Sequence, residues 1–302
     1  MLSIRPKIDL TQLVNMVEGE PMHYGWLPDP LDERDEDYEF CTTQAYRNYS
    51  SNISSIDNTK FFKEVSNQLH LPSCTANAGC DLLEAVEIHD CCKNLLDMGH
   101  KVEKALEASH KGTPDFSRLF AWWNGRNALD PPQHKNIKSG CYNRLIMDSF
   151  ARFGVPREQI WPYNEDVLPP LYEKRPIVRP SVSAYREARG HMVNSYHALL
   201  GRGDERIEQV IKALQGTPGV LFGTIIGKGF GHVGADVAYT PTTKLGGHAM
   251  VIVGYNKAKQ AFLARNSWSK RFGVNGYFWM HESYLAWTGT RGLWVITKGV
   301  LV

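Results

Sequence analysis

No apolar run in the 302-residue chain approaches the roughly eighteen residues that a membrane-spanning helix needs. The longest, at 219–226 and 249–254, have the length of strands. The first twenty residues scatter their charges and hold no apolar core of signal-peptide length, so the expectation is an intracellular protein. Net charge is also scarce. Thirty-four Lys and Arg against 32 Asp and Glu leave +2, which gives no general attraction to nucleic acid or to an acidic membrane surface. Six cysteines, at 41, 74, 80, 91, 92 and 141, are too few and too irregular for a disulfide framework, and no Cys-x-x-Cys pair suggests structural zinc. All six thiols are expected to be free. The composition, 42% apolar and 22% charged, is that of an ordinary globular chain.

What is present changes along the chain. Residues 1–60 are polar and irregular, with a dense patch of Pro, Asp and aromatics at 25–38 that reads as ordered but non-repetitive. A helical pattern begins at Ser73 and runs to Gly99, with Ala76, Leu82, Leu83, Val86 and Ile88 on its apolar face. Residues 119–123 suit a short helix or strand. Ser139 is the expected N-cap of a second helix that stops at Gly154. Four prolines between 164 and 182 read as a linker, followed by a helix over 183–200 and another from an N-cap at Asp204. From 219 onward five strand-like segments alternate with Gly, Asn and Lys turns. The class is therefore α+β, helix-rich first and strand-rich second. A Gly-x-Gly-x-x-Gly string at 229–234 lacks the helix that phosphate binding requires and reads as a loop.

Three separated segments carry chemistry. Cys74 follows Pro72 and Ser73 at the first turn of the long helix, where unpaired N–H groups and the helix dipole favour a thiolate. His248 opens an apolar strand behind two glycines that leave its ring accessible. Asn266 lies across a hairpin whose turn, at 256–259, sets His248 opposite residue 267. An amide there can accept the Nδ1 proton and leave Nε2 to face a nucleophile, with Trp268 shielding the bond from water.

Ser73-Cys74-Thr75-Ala76-Asn77-Ala78, Gly247-His248-Ala249, and Asn266-Ser267-Trp268 resemble the nucleophile, histidine and asparagine segments of the papain-like cysteine peptidases, in their bacterial and viral branch. Gln68 stands six residues before Cys74, the family's offset for its oxyanion-hole glutamine. Further echoes are Gly25-Trp26-Leu27-Pro28-Asp29, Ser117-Arg118-Leu119-Phe120, and Gly154 followed by Glu158 and Trp161-Pro162-Tyr163. The resemblance implies Cys74 as nucleophile, His248 as base and acid, Asn266 as its orienter, and Gln68 with the Cys74 N–H as oxyanion donors. It also implies a two-lobe fold: a helical lobe over about 60–165, a linker over about 164–182, and a strand-rich, barrel-like lobe over about 183–290 closed by a strand at 291–302. An extension, 1–40, would precede a catalytic domain at 41–302. The chain departs from the family at Leu71, Thr75 and Ser269, and the glycine pair that binds substrate backbone is not visible near Gly140 and Cys141.

The function so implied is endopeptidase cleavage of peptide or protein substrates through a thioester, with no metal or organic cofactor. One alternative is a papain-fold structural or assembly component, such as a virion protein with assembly partners, which Leu71, Ser269 and the absent glycine pair favour. Another is a cell-wall peptide amidase. The expected location is cytoplasmic or virion-associated.

Overall fold

The structure is a computed structural model that describes residues 14–17, 20–30, 32–33, 35, 53–163 and 177–300. Cys41 and most of the expected linker lie outside these residues. An antiparallel pair, β1 (Val14–Val17) and β2 (Glu20–His23), opens the described chain. The long helix α1 runs Cys74–Asp97 and packs against α2 (Val102–Gly112), α3 (Arg118–Asn127) and α4 (Asn143–Phe153). Short α5 (Val182–Ala188), α6 (Asp204–Gly216) and α7 (Glu282–Ala286) complete the helices among the described residues.

One eight-stranded sheet organises the second half. Its strands are β4 (Val193–Ala198), β5 (Val220–Gly227), β6 (Val237–Ala238), β7 (Lys244–Asn256), β8 (Ala261–Arg265), β9 (Tyr277–His281) and β10 (Thr290–Val300), in the order β4-β10-β5-β7-β8-β9-β6. β3 (Ser55–Asp57) pairs with the far end of β7. Leu221, Ala249, Val251 and Val253 face α1 in one buried cluster; Phe222, Met250, Ile252, Phe262 and Ala264 turn to the other face, with Val210 and Leu214 of α6. Covering both faces is why these strands read as continuous apolar runs.

Several local expectations change. Residues 183–200 split into α5 and β4 around a turn at Gly190, because β4 is held as an edge strand by antiparallel pairing with β10. α4 begins at Asn143 with Tyr142 as its cap, and Ser139 stays in the loop, because Cys141 is drawn out to pair with Trp26. α6 is capped by Gly203, one residue ahead of Asp204. The 229–234 string forms only the short 3-10 turn Phe230–His232.

The core also holds charge. Asp81 and Glu84 of α1 are buried, and Asp81 accepts from Arg118 at 2.7 Å and from Arg265 of β8 at 2.9 Å. Arg118 also reaches Glu84 at 3.1 Å. Burial pushes both carboxyls up; the guanidiniums overcome that for Asp81, which ends below its ordinary value, while Glu84 stays above. The network ties the head of α1 to the sheet. Removing one partner would strand a buried charge.

Candidate active site

Cys74 is the first residue of α1. Ser73 stands at the N-cap, but its hydroxyl makes no capping bond. The leading N–H groups of the helix are thus left open around the thiol. The sulfur lies against β7, where the backbone N–H of Ala249, next to His248, points at it, and the Gly25 N–H reaches it as well.

His248 Nε2 lies 2.8 Å from Asn266 Oδ1. The same oxygen accepts the backbone N–H of Ser267 at 2.7 Å. A backbone N–H can only donate, so this contact fixes which end of the amide faces the ring. Nε2 must therefore carry the proton, and Nδ1 is the basic nitrogen of the neutral ring. That reverses the ring assignment expected from the hairpin alone. The hairpin itself differs as well. Asn256 pairs with Ala261 around a turn closed by Gln260 at φ 47, and a bulge at Val253 shifts the register so that Val251 faces Arg265. Extending that register sets His248 against residue 268 rather than 267.

Trp268 lies over the imidazole at 4.6 Å between ring centroids, and Tyr24 and Phe230 stand edge-on to it. Gln68 is buried beside this stack. Its Oε1 accepts from Ser267 Oγ at 2.7 Å and Trp268 Nε1 at 3.2 Å, and its Nε2 donates to the Leu71 carbonyl at 3.0 Å. Gln68, Asn266, Trp268 and His248 are thus one connected network.

The two glycines before His248 do not expose its ring. Both Cys74 and His248 are 0% exposed. Residues 24–27 lie across the cleft as a strap: Trp26 N–H donates to Gly247 O at 3.1 Å, Cys141 N–H to Gly25 O at 2.9 Å, and Leu27 N–H to Cys141 O at 3.1 Å. A Cβ on Gly140 would sit 1.7 Å from the Gly25 oxygen, so the chain can approach there only over glycine. Gly140 and Cys141 therefore do bind extended backbone, although the glycine pair is missing. Trp26 is 2% exposed, its indole lying flat on β5 where a Cβ on Gly223 would fall 1.9 Å from the ring.

Covering the site sets its charge state. Burial pushes the Cys74 thiol up to about 11, against the lowering pull of the nearby N–H groups. Burial also drives His248 down to about 4, opposed only by the Asn266 bond. At neutral pH the covered pair is a thiol and a neutral imidazole, and Nδ1 has no hydrogen-bond partner. The second thiol nearby, Cys141, lies 3.1 Å from Thr75 Oγ1 and is pushed by burial up to about 12. The five described cysteines are all free.

Among known families, papain family cysteine protease matches residues 135–291, just over half the chain. The chain belongs to the papain family of cysteine proteases. The matched span includes His248 and Asn266; Gln68 and Cys74 precede it. A peptidase C1-like protein of Acanthamoeba polyphaga mimivirus is 30% identical over 185 residues, 56% of this chain and 54% of that protein, so the chain spans about half the length of this papain-family relative. Among solved structures, xylellain, a cysteine protease from Xylella fastidiosa, superposes with a TM-score of 0.72 at 26% identity, covering 92% of this chain and 96% of that one. A procathepsin B from Trypanosoma congolense shares the papain-like fold at 11% identity, with a TM-score of 0.64 over 92% of this chain and 85% of its own. Among the described residues, no helix of this papain-family chain is long and apolar enough to cross a membrane.

The strap itself escaped the sequence reading, as did the roles of Gly140 and Gly223. The available clue is the patch at 25–38, whose aromatics and prolines read as ordered; nothing local says that it packs on the cleft.

Proposed function

We propose that the chain is a cysteine-type endopeptidase whose reacting groups are Cys74 and His248, and that residues 24–27 hold its cleft closed. The observation that carries this is the His248–Asn266 bond with its direction set by Ser267, because it leaves a basic Nδ1 on the residue next to Ala249, whose N–H points at the helix-terminal Cys74 sulfur. Once the strap leaves, water re-enters and the desolvation that keeps both groups neutral is relieved. The Cys74 thiol proton passes to His248 Nδ1, and the thiolate attacks the scissile carbonyl. Negative charge then develops on the carbonyl oxygen. The Cys74 N–H and the second Nε2 proton of Gln68, whose first is held by Leu71, stand as its donors. As the tetrahedral intermediate collapses, the imidazolium gives its proton to the departing amine and a thioester remains. Nδ1 then takes a proton from water, which hydrolyses the thioester and restores the thiol. Asn266 keeps Nε2–H engaged throughout, so the ring cannot rotate away. Residues 1–40 belong to this reading as an extension ahead of the catalytic domain.

The test is cleavage of a peptide library by the full chain and by a full-length Trp26→Ala variant that loosens the strap, with fragments read by mass spectrometry. Cleavage that disappears on adding Cys74→Ala is the expected result. Cleavage that survives Cys74→Ala, or none from either parent, overturns the proposal.

A further inference from the structure

Gln68 is useful as an oxyanion donor only if the loop from 68 to 73 is held still, and that loop is not relaxed. Leu69 sits at φ 50, a left-handed conformation that a leucine adopts only under constraint from its surroundings. The Leu69 N–H donates locally to Asn67 Oδ1 at 3.1 Å, and residues distant in sequence hold the loop from outside. The Tyr163 hydroxyl donates to the Gln68 carbonyl at 2.6 Å and lies 2.8 Å from Ser73 Oγ. Asn77 Nδ2, one turn into α1, donates to Ser73 Oγ at 3.0 Å and to Ser73 O at 3.0 Å.

The ends of this chain fix its polarity. An amide nitrogen only donates and a carbonyl only accepts, so protons point from Asn77 to Ser73 to Tyr163 to the Gln68 carbonyl. Bonds aligned in one direction polarise and strengthen one another. The arrangement also explains why Ser73 occupies the N-cap without capping: its hydroxyl proton is directed to Tyr163, which leaves the helix N–H groups open beside Cys74. Tyr163 is itself anchored. Its N–H donates to the Glu158 carboxylate, and the carbonyl of Trp161 accepts from Ser117 Oγ at 2.5 Å, at the head of α3. Ser117 and Glu158 hold residues 161–163, and Tyr163 alone meets the backbone of Gln68; the catalytic steps leave all three unused.

We infer that Tyr163 is a positioning residue for the oxyanion donor, clamping the strained 68–73 loop so that the Gln68 side chain is preset for the transition state. It touches neither substrate nor the reacting atoms. The inference rests on the peptidase reading above. Losing the hydroxyl should lower turnover more than binding, because the donor matters most when the oxygen is charged. The loop keeps the Leu71 N–H to Gln68 O bond at 3.3 Å, so it loosens rather than collapses.

The experiment uses the full chain with the strap opened by Trp26→Ala as parent. Tyr163→Phe is expected to lower kcat on a cleavable peptide about tenfold with KM within about twofold, the scale of one buried hydrogen bond. Alkylation of Cys74 by iodoacetamide, which forms no oxyanion, is expected to stay within about twofold of the parent. In a Gln68→Ala background the Tyr163→Phe effect should vanish, since the positioned group is gone. Ser73→Ala, which breaks the same chain one link earlier, should reproduce the pattern if Tyr163→Phe folds poorly. An unchanged kcat, a parallel fall in alkylation, or an equal loss in the Gln68→Ala background overturns the inference while the peptidase reading stands. A parent that cleaves nothing, or cleaves without Cys74, overturns both.

Discussion

Replacing Trp26 by alanine should open the cleft without unfolding the protein, because the indole is carried by the strap and only packs onto the main core, whose other members remain. Deleting a fully buried tryptophan side chain typically costs about 3–5 kcal/mol. The indole Nε1 here is buried without a hydrogen-bond partner, and relief of that orphaned donor returns about 1–3 kcal/mol. The three backbone bonds of the strap do not involve the side chain and remain. The net loss of docking free energy is therefore about 2 kcal/mol, or roughly a thirtyfold rise in the open population at about 1.4 kcal/mol per decade. Iodoacetamide reacts through that open population in both proteins, so the ratio of alkylation rates at Cys74, mapped by mass spectrometry, reports the shift directly. The expected ratio is about thirty, in line with that free energy. A ratio below about three refutes the argument that the indole holds the strap. Equal acceleration at Cys80, which is fully buried in α1, would show general loosening instead.

Three further outcomes follow from the same contacts. Burial raises Asp29 to about 6, with the Trp294 indole N–H at 2.7 Å and Arg144 opposing, so docking of its segment is strongest in acid and weakens as pH rises from about 4 to about 6, by roughly 3 kcal/mol; hydrogen exchange of the strap amides should show this trend and lose it in Asp29→Asn. Gln68→Ala should reduce peptide turnover about 100- to 1000-fold in a strap-opened chain while Cys74 alkylation holds, and a matched fall in both assays would make Gln68 a structural support only. Arg265→Ala leaves Asp81 with one cation and opens the Lys63 and Glu64 carbonyls, so chemical denaturation should show a loss of about 3–5 kcal/mol; a loss under about 1 kcal/mol would mean the buried network is expendable.

Much of this molecule is legible in its residues taken locally. The helix from Cys74 follows from Pro72 and Ser73 ahead of an apolar pattern, and the strands from 220 onward from their β-branched runs and turns. The nearness of His248 and Asn266 follows from one hairpin. The local signal gives way where a distant contact is stronger. Ser139 looks like a cap, yet backbone pairing of Cys141 with the strap keeps it in a loop. The hairpin register departs from simple alternation at the left-handed Gln260 and the bulge at Val253, both of which depend on what the strands pack against.

The elements that carry the candidate residues are written in the sequence, because helix starts, strand runs and hairpins depend on neighbours a few residues apart. The tertiary structure alone decided which imidazole nitrogen is basic, since that rests on the single N–H of Ser267 against Asn266. It also decided the state of the pair. Thiol and imidazole are neutral because both are buried, partly beneath residues 24–27, some fifty residues before Cys74 and over two hundred before His248, and the cost of charge in a dry site is set by everything that surrounds it rather than by the residues that bear it.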